Sequence, residues 1–243
     1  MSDLKDLITS LATSDMGTAA VEKVEEFLQN VLKEPGTSLG GLLADKINRR
    51  RFRNLAHVVF EAKQLLSGLG LTEKEVPLKI IHPLLESASL EEDPDIQDMW
   101  SRLLASTASS GDMPFYASLI DILKQLSPEE ARFLKAVYRR FCDEAERYEN
   151  LPPDHQLRTE NPRFKGVGTF PVLKQLFVEV NYIEKEEDDA GFVVSVALAN
   201  LHRLRLIIEP GMGQNHYKLE ILGLVFLGIC SSGNPQSSHA VSS

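Results

Sequence analysis

His57 precedes Glu61 by four residues, and His82 stands in the same relation to Glu86. On a helix that spacing puts imidazole and carboxylate on one face. A metal ligand with its partner uses this arrangement, and so does a general base with the group that orients it. An ordinary surface hydrogen bond uses it too. Neither pair belongs to an H-E-x-x-H pattern or has a third ligand nearby in sequence. The acidic run Glu91, Glu92, Asp93 and Asp95 could collect a cation, but it lacks the spacing and the glycine of a calcium loop. It reads instead as the solvated start of a helix. Phosphate-loop, nucleophile-elbow and dinucleotide fingerprints do not occur. Cys142 and Cys230 form no C-x-x-C and meet no histidine at zinc spacing. They imply a reducing compartment without a disulfide framework. Cys142, beside Phe141, reads as a packing residue rather than a nucleophile. The sequence therefore assigns no catalytic residue, no cofactor-binding residue and no metal ligand.

The candidates for binding are basic. Lys46, Arg49, Arg50, Arg51 and Arg53 crowd the segment KINRRRFR. One reading is a solvated helix face with Phe52 turned inward. The other is a surface for an anion or nucleic acid, for which the planar guanidinium is better suited than an ammonium. No aromatic residues interleave with the charges as they do on base-stacking surfaces. Arg203 and Arg205 form a second candidate, within a stretch from Phe192 to Ile208 that has no acidic residue. The net charge of −9 disfavours non-specific attraction to nucleic acid or to an anionic membrane by the molecule as a whole.

These residues depend on helices. Leu4, Leu7, Ile8 and Leu11 mark a short amphipathic helix. Val21, Val24, Leu28 and Val31 mark a second, stopped at Pro35-Gly36. A long third helix is expected from about Ser38 to Leu69. Pro77 opens a fourth, which Pro83 should kink or break. Asp93 and Pro94 open the helix that holds the chain's only tryptophan. On it Ile96, Met99, Trp100, Leu103 and Leu104 form one apolar stripe, and Trp100 is expected to be buried there. Phe115, Leu119, Ile122 and Leu123 mark the next helix. Ser127 and Glu130 form a capping box that opens another, through about Glu149. The segment from Asn150 to Thr169 is aperiodic and expected to be cut first by proteases. A short helix spans Phe170 to Phe177. Phe192 to Leu204 is a helix with Val193, Val196, Ala197, Leu201 and Leu204 inward. Short β runs at Leu206–Ile208 and Tyr217–Leu219 flank a glycine-containing turn, and an apolar helix from Ile221 to Cys230 closes the pattern.

The expected fold is mainly α. A helical bundle over residues 1–126 precedes a winged-helix-like α+β part over 127–230, with a small two-stranded wing, and 231–243 form a disordered tail. In the winged-helix reading, Phe192 to Leu204 takes the recognition-helix position and Pro210 to Asn215 the wing. The longest apolar run, Ile221 to Cys230, is half the ~20 residues needed to span a bilayer. No basic, apolar leader opens the sequence. A cytoplasmic protein without a membrane span is expected.

Three segments carry a family resemblance: GGLLADKINRRRFRN, PLKIIHPLLESASLEEDPDIQDMWSRLLAS and LKQLSPEEARFLKAV. With the closing NLHRLRLI and YKLEILGLVFLGIC, they resemble the abortive infection alpha family of bacteria over roughly residues 37–230. Many of those relatives carry Thr-x-x-Gly where this chain has Glu220-Ile221-Leu222-Gly223, so no threonine hydroxyl caps the last helix. The resemblance implies a part in resistance to phage through abortive infection, in which an infected cell stops supporting phage growth. It brings no catalytic residues. The first expectation is therefore a non-enzymatic interaction or effector protein with a protein partner. The alternatives are a DNA-binding regulator acting through the winged helix, and a metal-dependent nuclease or nucleotide hydrolase.

Overall fold

The computed structural model describes residues 26–32, 49–111, 114–150, 190–208 and 217–232. The helix expected at Leu4–Leu11, the one at Phe170–Phe177, the Asn150–Thr169 segment beyond its first residue, the Pro210–Asn215 turn and the tail beyond Ser232 lie outside the described residues. The chain divides into two compact units, between Gln125 and Leu126 and again between Leu227 and Gly228.

In the first unit, α1 (Arg49–Gly68), α2 (Leu78–Leu90), α3 (Pro94–Ser110) and α4 (Tyr116–Leu123) follow one another. α3 packs against α1, α2 and α4. Its start is built as its sequence requires. The Asp93 carboxylate accepts hydrogen bonds from the Asp95 and Ile96 backbone N–H groups at 2.9 and 3.2 Å, and Pro94 fills the first position, where no N–H is needed. Ile96, Met99, Trp100, Leu103 and Leu104 are all buried. Asp98 and Arg102, four apart at the helix surface, pair at 2.9 Å. The helix ends at Gly111, whose φ of 79° lies in the left-handed region that a side chain disfavours.

α3 also buries Ser101, Ser106, Thr107 and Ser109. Ser101 and Thr107 donate to the carbonyls of Gln97 and Leu103 one turn earlier, so their hydroxyls need no outside partner. Ser106 instead meets the buried Tyr116 hydroxyl of α4 at 3.0 Å. A helical segment at 26–32 buries Phe27, Leu28, Val31 and Leu32, and its Glu26 pairs with Lys63 of α1. α2 is not broken at its internal proline, Pro83. Ile80, Ile81, Leu84 and Leu85 are buried on both sides of the proline, and that packing offsets the ~3 kcal/mol cost of a proline inside a helix.

The second unit holds α5 (Pro128–Glu149), α6 (Ala190–Arg203), β1 (Ile207–Ile208) and β2 (Lys218–Leu219). The boundary at Leu227 falls within α7 (Ile221–Ser232). β1 and β2 pair antiparallel, Ile207 opposite Leu219 and Ile208 opposite Lys218. At the start of α5 the capping box closes in both directions. The Ser127 N–H donates to Glu130 Oε2 at 2.9 Å, and the Glu130 N–H donates to Ser127 Oγ at 3.1 Å. α6 forms where expected but rotated. Val194, Ala197, Leu198, Leu201 and Leu204 are buried, whereas Val193 is only half-buried and Val196 is exposed. Nearly every position from Ala190 to Leu201 is apolar or small, so periodicity alone leaves the phase of this helix undetermined. Among the described residues, the protein is mainly helical with one two-stranded sheet.

Candidate functional site

On α1, Phe52, Leu55, Ala56, Val58 and Val59 set the buried face, and this fixes where the arginines go. Lys46 lies outside the described residues, as does the side chain of Arg49. Arg50 and Arg53 are exposed, and Arg51 is half-buried. Arg51 reaches the end of α2, where its Nε and Nη2 donate to Ser89 Oγ at 3.1 and 2.8 Å. Asn54 donates to the Ser89 carbonyl at 3.4 Å. The last carbonyls of a helix lack intrahelical donors and carry partial negative charge, so a guanidinium and an amide there stabilise the helix end. Arg50 pairs with Glu92, just beyond α2. Two arginines of the basic segment are thus engaged in joining α1 to the end of α2, and Arg53 points to solvent.

The second basic pair is engaged as well. Arg203 donates to Asn200 Oδ1 at 2.8 Å, and Asn200 Nδ2 donates to Glu130 Oε1 at 2.8 Å. This chain of contacts ties the end of α6 to the capping box of α5 through a buried carboxylate. Arg205, in the left-handed region with φ of 60°, donates from Nε and Nη2 to Glu220 Oε1 at 3.0 and 2.8 Å. Behind it, the Leu206 carbonyl accepts the Glu220 N–H at 3.0 Å. Glu220, the residue before α7, therefore anchors Arg205.

Among the described residues, those with potential for chemistry are not gathered into a site. His57 is exposed and Glu61 half-buried; His82 is half-buried and Glu86 exposed. No ion pair joins either histidine to its glutamate. Among the described residues, no group of three His, Cys, Asp or Glu side chains could hold a metal ion. The acidic run is used by the fold. Glu91 Oε1 accepts the N–H groups of Glu92 and Asp93 at 2.9 Å each, Glu92 meets Arg50, and Asp93 caps α3. Cys142 is exposed on α5, not packed as its neighbour Phe141 suggested. Its thiol is nevertheless pushed up, first by desolvation of the sulfur, against a hydrogen bond with Tyr138 that lowers it. A raised thiol is mostly protonated at neutral pH and makes a poor nucleophile.

What the sequence did not indicate is the outer face of α6. Phe192 is 72% exposed and Val196 52%, one helical turn apart, with Ser195 and Ala199 exposed beside them. The only signal for it was the apolar excess of the helix, more than one buried face can use.

No helix among the described residues is long and apolar enough to cross a membrane. A family model described as abortive infection alpha matches residues 53–222, most of the chain. No curated protein and no solved structure matches it.

Proposed function

The chain belongs to the abortive infection alpha family, and from that premise we propose that it is a non-enzymatic interaction protein of bacterial phage defence, acting in the cytoplasm. The family match carries this reading. It is supported by the use the fold makes of its polar side chains: the acidic run caps and braces helices, and the histidine–glutamate pairs stand apart. The partner in this reading is a protein, because the outer face of α6 is apolar where a reader of DNA would present donors to base edges. The test is phage plating and infected-cell survival with and without the gene. The expected result is a fall in phage plating with early death or arrest of infected cells. Unchanged plating against a broad phage panel overturns the reading. His57→Gln and His82→Gln are expected to keep protection; loss with unchanged stability would point to an enzyme, and EDTA-sensitive cleavage of nucleic acid would identify a metal-dependent nuclease.

A second reading is a DNA-binding regulator. We read α5, α6, the β1–β2 pair and α7 as a winged-helix-like order in which α6 takes the recognition position. The absence of acidic residues from Phe192 to Ile208 favours it. The contacts of Arg203 with Asn200 and of Arg205 with Glu220 weigh against it, since both guanidinium groups are already held. A DNA titration at several salt concentrations separates the two readings, because phosphate contacts impose a steep fall of affinity with salt.

A further inference from the structure

We draw no further inference here: the strongest candidate, the outer face of α6 with Phe192 and Val196 exposed one helical turn apart, carries none, because nothing in the structure shows what covers it.

Discussion

Trp100 is 1% exposed, yet its indole N–H has no hydrogen-bond partner among the described residues. Its worth to the fold is therefore in volume and apolar contact, not in polar pairing. Trp100→Ala is expected to cost ~3–5 kcal/mol, the range for truncating a large buried aromatic. Trp100→Phe should cost much less, because it keeps most of the apolar volume and removes a donor that burial leaves unsatisfied. Urea unfolding followed by circular dichroism measures both; similar losses for the two variants would mean that the N–H is bonded after all. Gly223 is the opposite case, a position defined by the lack of a side chain. A Cβ there would lie 2.2 Å from the Leu206 carbonyl oxygen and 2.9 Å from its carbon, both backbone atoms that cannot swing aside. Alanine, normally the better helix former by about 1 kcal/mol, should here destabilise by roughly 1–3 kcal/mol, as overpacking does. A Gly223→Ala protein as stable as the parent would show that α7 can move off Leu206 at little cost.

The arginine segment of α1 divides at the scale of the element. Arg51 lies against the end of α2 and Arg53 faces water, although the two are equally basic in sequence. Arg51→Gln removes charge-assisted donors from Ser89 and should lower stability by about 1–2 kcal/mol. Arg53→Gln should stay within about 0.5 kcal/mol, as for most exposed substitutions. Thermal melts of the two variants side by side decide this. If both are neutral, the α1–α2 contact contributes nothing, and the segment is again open to an anionic partner. Comparing phage protection by Arg53→Gln with that by the parent then reports on partner binding without a stability change to confuse it. α6 shows the same division. Its apolar surplus let the sequence place a helix there without saying which valine faces inward; Val194 is buried and Val196 exposed.

At the scale of the molecule, three described groups, Tyr116, Tyr138 and Cys142, couple the fold to alkaline pH. Burial of the Tyr138 phenol, then the neighbouring Cys142 thiol, pushes its pKa from 10.0 up to about 12. Burial also raises Tyr116, against its hydrogen bonds to Ser106 and Ser110. In each case the fold favours the protonated form. Below the ordinary pKa both folded and unfolded chains are protonated, and the contribution to stability is intact. As pH rises past 10.0 the unfolded chain gives up its phenolic protons first, so stability is lost through the folded pKa, near 12 for Tyr138. Cys142 is raised from 9.0 and starts the loss somewhat earlier. The denaturant midpoint should therefore fall as pH rises above about 9, and Tyr138→Phe should make the fall shallower. A midpoint unchanged to pH ~12 would mean that these hydroxyls are as exposed in the native protein as in the unfolded chain.

Sequence alone determined the features whose partners lie within one helical turn. Asp93-Pro94 and Ser127 with Glu130 place two helix starts, since the distance from a cap residue to the second or third N–H is fixed by backbone geometry wherever the helix sits. The stripe through Trp100 was legible for the same reason, as polar residues on the other side of α3 set its phase. The helices came from periodicity, and the family from segments spread along the chain. Tertiary structure decided what depends on elements far apart in the chain. It brought Arg51 to Ser89, Asn200 to Glu130 and Arg205 to Glu220, across 38, 70 and 15 positions. It carried the fourth helix through Pro83, because packing energy outweighs a local break. It also chose the inward side of α6. A side chain's local pattern says which partners it accepts, but only the folded chain brings those partners within hydrogen-bond reach, so the basic residues looked available in sequence and are largely engaged in the fold.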